Sequence, residues 1–158
     1  MTKLRNGARN TCRKKKPSRK ARKTERQTTI EALDKVFSHY IRLKYTKANG
    51  LIDCATCQAS LPFKMMQAGH FMSRRYIATR FHEINVLPQC RACNMFAQGR
   101  QWLFGKRLDA MYGPGTAQRM YELSRSDVKY NVQQLRSMLD DYKTKKQAMQ
   151  NERSGEDI

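Results

Sequence analysis

Apolar residues at Ile30, Leu33, Phe37, Tyr40, Ile41 and Tyr45, with polar residues between them, have the spacing of one helical face. Thr28 and Glu31 have the spacing of a capping box at its start, and Asn49-Gly50 marks its end. Residues 61–72, interrupted by Pro62 and Gly69, predict a short extended segment and a loop carrying His70. A second short strand is expected over Arg80–Leu87. A helix is expected from Asn94, broken or kinked at Gly99, with Trp102, Leu103, Leu108, Met111 and Tyr112 as its apolar stripe up to Gly113-Pro-Gly115. Two more helices follow, Thr116–Leu123 and Ser126–Lys143, the second with Val128, Val132, Leu135, Leu139 and Tyr142 on one face. That stripe is expected to pack on its own domain, with a second copy, and so a homodimer, as the alternative. Gln147–Ile158 is polar and expected to fray.

Charge adds a boundary that periodicity does not. The 158 residues carry a formal charge of +19, and residues 1–26 hold twelve bases against one acid. So charged and apolar-poor a stretch cannot bury enough surface to offset its ordering entropy, which predicts a disordered basic arm over 1–27. The remainder has the length of one domain, divided into a core with its leading helix over 28–115, a helical extension over 116–146 and a flexible tail over 147–158. No apolar run approaches the ~18 residues of a membrane span, and no apolar stretch follows the N-terminal bases as a secretory signal requires. The expected location is the cytoplasm and the expected partner a polyanion, nucleic acid before others.

Four of the five cysteines form two C-x-x-C pairs, Cys54-Ala-Thr-Cys57 and Cys90-Arg-Ala-Cys93, with 32 residues between them. Two thiolates three apart on a tight turn both reach one Zn²⁺ at ~2.3 Å, and a second such knuckle completes the tetrahedron. A redox-active C-x-x-C needs only one pair, so structural zinc is the expectation. Cys12 stands alone in the arm and is expected to be a free thiol.

Between and just after the knuckles come His70, Asn85 and Asn94, spaced by fifteen and nine residues. In this set the sequence resembles the HNH (ββα-metal) nucleases. More closely, Ala68-Gly-His-Phe71, Thr79-Arg-Phe-x-Glu-x-Asn-Val86 and Gln89-Cys-x-x-Cys-Asn94 resemble the lambda NinG (Rap) recombination endonucleases, with the similarity running from about Ile30 to Gly113. The resemblance implies an α+β fold, a small zinc-stabilised ββα core with flanking helices. It also implies a metal-dependent endonuclease acting on branched DNA (Holliday junctions and D-loops) during phage recombination in the bacterial host, with phage or host recombination proteins as further partners. A ββα unit is too small to hold itself by burial, which agrees with a metal clip.

The same resemblance assigns roles. His70 becomes the general base, which a neutral imidazole suits. Asn94 offers an amide oxygen to a catalytic Mg²⁺ or Mn²⁺, and Asn85 bonds across the hairpin loop to hold the His70 strand. Many HNH enzymes carry a metal-binding acid or second His just before the base, where this chain has Gly69. Glu83 is the single carboxylate between Asp53 and Asp109 and lies two before Asn85, on the same face of an extended strand. It is therefore the candidate replacement ligand, with a surface ion pair to Arg80 or Arg91 as the competing role. His39 and His82 are left outside the site.

Substrate contact is assigned to Arg74, Arg75, Arg80, Arg91, Arg100, Lys106 and Arg107, with Arg80 also acting near the scissile group. Tyr76 and Phe71 are candidates for base stacking, against core packing as the commoner fate of aromatics near a strand. The competing functions are a generic HNH nicking or homing-type endonuclease and a non-catalytic zinc-stabilised module that binds DNA or RNA. Only catalysis requires the His70/Asn85/Asn94 set.

Overall fold

The computed structural model describes residues 22–155; Cys12 and most of the basic arm lie outside them, as do residues 156–158. Helix α1 spans Glu25–Lys44. Its capping box is Thr24/Gln27 rather than Thr28/Glu31: Gln27 N–H donates to Thr24 Oγ1 at 3.3 Å and Thr24 N–H donates to Gln27 Oε1 at 2.9 Å. The Thr28 and Thr29 hydroxyls instead donate to the Glu25 carbonyl. The last residues assigned to the arm are thus helical, since an uncharged Gln caps as well as a Glu does.

Two small antiparallel hairpins follow. Strands β1 (Leu51–Asp53) and β2 (Ser60–Pro62) pair around the first cysteine knuckle. Strands β3 (Met66–His70) and β4 (Val86–Cys90) pair in a register that sets Met66 opposite Cys90 and His70 opposite Val86. The expected strand over Arg80–Leu87 is therefore displaced. A short helix α2 (Ile77–Arg80) and a 3₁₀ turn (Glu83–Asn85) occupy most of it, and the strand begins at Val86. The cause is local, because His82 Nδ1 accepts from the Ile84 amide and caps the turn.

Past the second knuckle, Ala92–Phe96 forms a π-helical turn and Gln98–Arg100 a 3₁₀ turn. Gln98, Gly99 and Arg100 all have positive φ, so the helix expected from Asn94 breaks there. Helix α3 (Gln101–Tyr112) starts afresh, followed by α4 (Thr116–Ser124) and α5 (Val132–Gly155). The start of α5 lies six residues beyond Ser126 because Asn131 and Gln134 exchange backbone-to-side-chain bonds of 2.8 Å, a capping box of their own. It also runs through the segment expected to fray. Arg153 Nη2 donates to the carbonyls of Leu43 and Thr46 at 2.9 and 2.7 Å, satisfying the open C-terminal end of α1.

The largest core lies between α1 and α5. Leu33, Phe37 and Ile41 meet Leu135 and Tyr142, with Phe81, Val86 and Ala68 beneath them. Phe37 contacts Phe81 and Tyr142 edge-on, at centroid separations of 5.9 and 4.8 Å. Each fully buried side chain of this kind contributes about 1.5–3 kcal/mol. The apolar face of α5 is thereby covered within its own chain. A second core of Leu87, Phe104, Leu108 and Met120 seats α3 and α4 on the other side of β4. No helix among the described residues is long and apolar enough to cross a membrane.

Candidate functional site

The cysteine cluster is built by the ends of two hairpins. Cys54 and Cys57 lie in the β1–β2 turn, Cys90 ends β4, and Cys93 sits in the π-helical turn. Their four sulfurs lie within 4.8 Å of one another, and Cys57 Sγ is 3.8 Å from Cys90 Sγ. Four thiolates at ~2.3 Å from a tetrahedral Zn²⁺ are about 3.8 Å apart, so the donor set and its size both fit zinc. Burial opposes ionisation of Cys54, but the Thr56 hydroxyl and the Cys90, Thr56 and Cys57 amides bring its thiol down to about 6. Such donors favour the thiolate that binds metal.

His70 ends β3 and is half-buried. Its Nε2 lies 3.0 Å from the Arg80 carbonyl, which only accepts, so Nε2 carries a proton there. Burial and the Arg74 charge push the imidazole down to about 4, so it is neutral at physiological pH.

Asn85 is fully buried and joins the two sides of the loop between β3 and β4. Its Oδ1 accepts from Met72 N–H at 2.7 Å, and its Nδ2 donates to the Met72 and Thr79 carbonyls at 3.0 and 2.9 Å. Its own carbonyl accepts from Phe71 N–H, directly after His70. Three side-chain bonds from one buried amide fix the residues leaving His70. Asn94 donates from Nδ2 to Gln67 Oε1 at 2.7 Å, which leaves its own Oδ1 as an acceptor.

A groove of about 590 Å³ is lined by both His70 and Asn94, together with Arg74, Arg75, Gln98, Gly99 and Gln101. No carboxylate lines it. Glu83, the expected replacement ligand, is not among the residues that line it. Because the turn at 83–85 replaces an extended strand, its carboxylate meets Lys44 Nζ at 2.6 Å and accepts from Tyr40 Oη at 3.0 Å, with Lys145 at 3.8 Å. Neither Arg80 nor Arg91 is its partner. Burial opposes ionisation, but Lys44 and Tyr40 hold the Glu83 carboxyl below its usual range.

The empty side-chain position at Gly69 has a physical cause. A Cβ there would stand 2.1 Å from Gln89 Oε1. Gln89 is fully buried, and its Nε2 donates to Gly99 O at 2.8 Å and Thr56 Oγ1 at 3.1 Å. Its Oε1 is the one buried side-chain polar atom without a partner among the described residues. The amide of Gln89 thus fills the volume that an acid at position 69 would need, a constraint no spacing rule reveals.

The expected DNA contacts divide. Arg74 and Arg75 are exposed on the groove. Arg80 is committed elsewhere, with Nε and Nη2 on Asp34 at 3.0 and 2.5 Å and Nη1 on the Arg74 carbonyl, so it ties α1 to the loop rather than reaching a phosphate. Arg91, Arg100 and Lys106 are exposed, whereas Arg107 lines a separate pocket with Lys47 and Asp53. Phe71 packs at a tilt on Phe104 while lining the groove, and Tyr76, also in its lining, lies beneath Arg75 and Arg125. His39 packs on Phe63, outside the groove.

No curated protein and no solved structure matches this chain. The pattern of one family, described as "Bacteriophage Lambda NinG protein", matches residues 1–152, nearly the whole length. The chain belongs to that bacteriophage lambda NinG family.

Proposed function

We propose that this protein is a metal-dependent, HNH-type endonuclease that hydrolyses phosphodiester bonds in branched DNA during phage recombination. The observation that supports it best is a neutral, carbonyl-anchored His70 opening on a basic groove that also holds Asn94.

In this reading His70 Nδ1 takes a proton from the attacking water while Nε2 stays bonded to the Arg80 carbonyl. Asn85 keeps the loop after His70 in place, so that the imidazole does not swing out of line. Arg74 and Arg75 neutralise the phosphate they face. A divalent cation, when bound, would be held by the Asn94 amide oxygen and by phosphates of the DNA, since no carboxylate lines the groove, and would supply charge stabilisation at the scissile phosphate.

That same lack of a carboxylate favours one second reading, a zinc-stabilised module that binds nucleic acid without cutting it. One assay separates the two. Purified full-length protein and its His70→Ala variant are incubated with a labelled four-way junction or a matched linear duplex, in EDTA, Mg²⁺ or Mn²⁺. The expected result is metal-dependent cutting of the junction, little cutting of the duplex, and loss of at least a hundredfold in the variant. Equal cutting of both substrates discards branch specificity. Tight binding without cutting in any metal leaves the binding module.

A further inference from the structure

Two large aromatic side chains stand in solvent and have no place in the proposed chemistry. Phe96 and Trp102 are each 74% exposed, although the apolar stripe of α3 assigned Trp102 to the core. The buried positions of α3 are Phe104 and Leu108 instead, which turns Trp102 outward. Each ring carries a cation: Arg91 Cζ lies 5.5 Å from the Phe96 centroid, and Lys106 Nζ lies 4.8 Å from that of Trp102. The two aromatics flank the left-handed turn whose Gln98, Gly99 and Gln101 line the groove.

We infer that Phe96 and Trp102 form a stacking platform for unpaired bases of a DNA strand leaving the groove. An exposed aromatic face with a flanking cation matches a nucleotide, whose base stacks on the ring while its phosphate meets the charge. The bases of a continuous duplex are already stacked and cannot use it. Charge chooses this occupant over a second copy of the chain. Residues 84–108 contain four bases and no acid, so a symmetric self-contact through this patch would set those cations against their own copies. The inference rests on the nucleic-acid-binding part of the proposed function and not on hydrolysis.

Trp102 is the single tryptophan, so its emission reports this site alone. The full-length protein is titrated with a single-stranded oligonucleotide, an open four-way junction and a blunt duplex, while anisotropy of labelled DNA follows binding independently. The expected result is quenching by the first two and little by the duplex, even where anisotropy shows the duplex bound. Trp102→Ala should weaken single-strand binding on the order of tenfold and leave duplex binding nearly unchanged, with Trp102→Phe restoring most of it. Binding of all three DNAs without quenching, or equal quenching by the duplex, overturns the platform. A blue shift with protein concentration in the absence of DNA, accompanied by dimer in sedimentation, overturns it in favour of self-association. Failure of hydrolysis in the cleavage assay leaves these readouts intact, so the two proposals fail separately.

Discussion

The two ends of the β3–β4 hairpin are held by different forces. At the His70 end, Asn85 fastens the loop with three hydrogen bonds, and the α1–α5 core lies behind the strands. At the Met66 end the apolar cluster is small, Ile52 and Met66 among the cysteines, and the four sulfurs come from two hairpins and the turn leading to α3. One end is fixed by burial and amide bonding, and the other brings together four thiols that could hold a structural metal such as zinc. A groove that draws His70 from the first and Asn94 from the second keeps its shape only while both hold.

The largest break should come at the metal end. Cys90→Ser removes a ligand from a site whose counterparts in small zinc domains contribute roughly 10 kcal/mol or more. Zinc content should fall, and residues 51–62 and 86–100 should become protease-sensitive before the α1–α5 core; a variant that keeps its full zinc content and its protection would contradict this. Asn85→Ala attacks the other end. It strands Met72 N–H and two carbonyls, at about 1–3 kcal/mol for each buried group that stays unpaired. Urea unfolding should show that loss with zinc content intact.

Gly69→Asp tests the crowding between the two ends. Placing a Cβ 2.1 Å from Gln89 Oε1 should destabilise the protein by about 1–3 kcal/mol, and adding Gln89→Ala should recover part of it. Additive losses in the double variant would show that the two side chains do not compete. The smallest effect belongs to Glu83→Gln, roughly 1 kcal/mol or less, with zinc content, and whatever cleavage the proposed assay detects, unchanged. Because the folded carboxyl titrates below its unfolded value, the Glu83 contribution is full above the unfolded pKa and fades as pH falls through the folded one. The Gln variant should lack that acid-side decline. If its cleavage collapses instead, the metal-ligand role returns.

The cysteine site was legible because ligand spacing is a local property, and so was α1, whose apolar face repeats over several turns. Glu83 was misplaced by an error one step removed. The stretch 80–87 reads as a strand, but the His82 cap and the Asn85 tie select turns, and the carboxylate then faces Lys44. Trp102 was misassigned for another reason. Phe104 and Leu108, four apart, form the face that packs on Leu87 and Met120, and Trp102, two positions before Phe104, lies on the opposite side of α3. The commitment of Arg80 to Asp34 spans 46 positions in sequence, too far for any local pattern to show.

The clasp of Arg153 on Leu43 joins residues 110 positions apart, and the apolar face of α1 meets α5 at similar separations. During synthesis at ~5–20 residues per second, that face therefore stays open for about 5–20 s after α1 emerges. For that interval the nascent chain presents Leu33, Phe37 and Ile41 to whatever binds apolar surface, chaperones included. A fragment ending at Asn131 reproduces this state permanently and is expected to appear in the insoluble fraction; recovery of a soluble, monomeric fragment would argue against it.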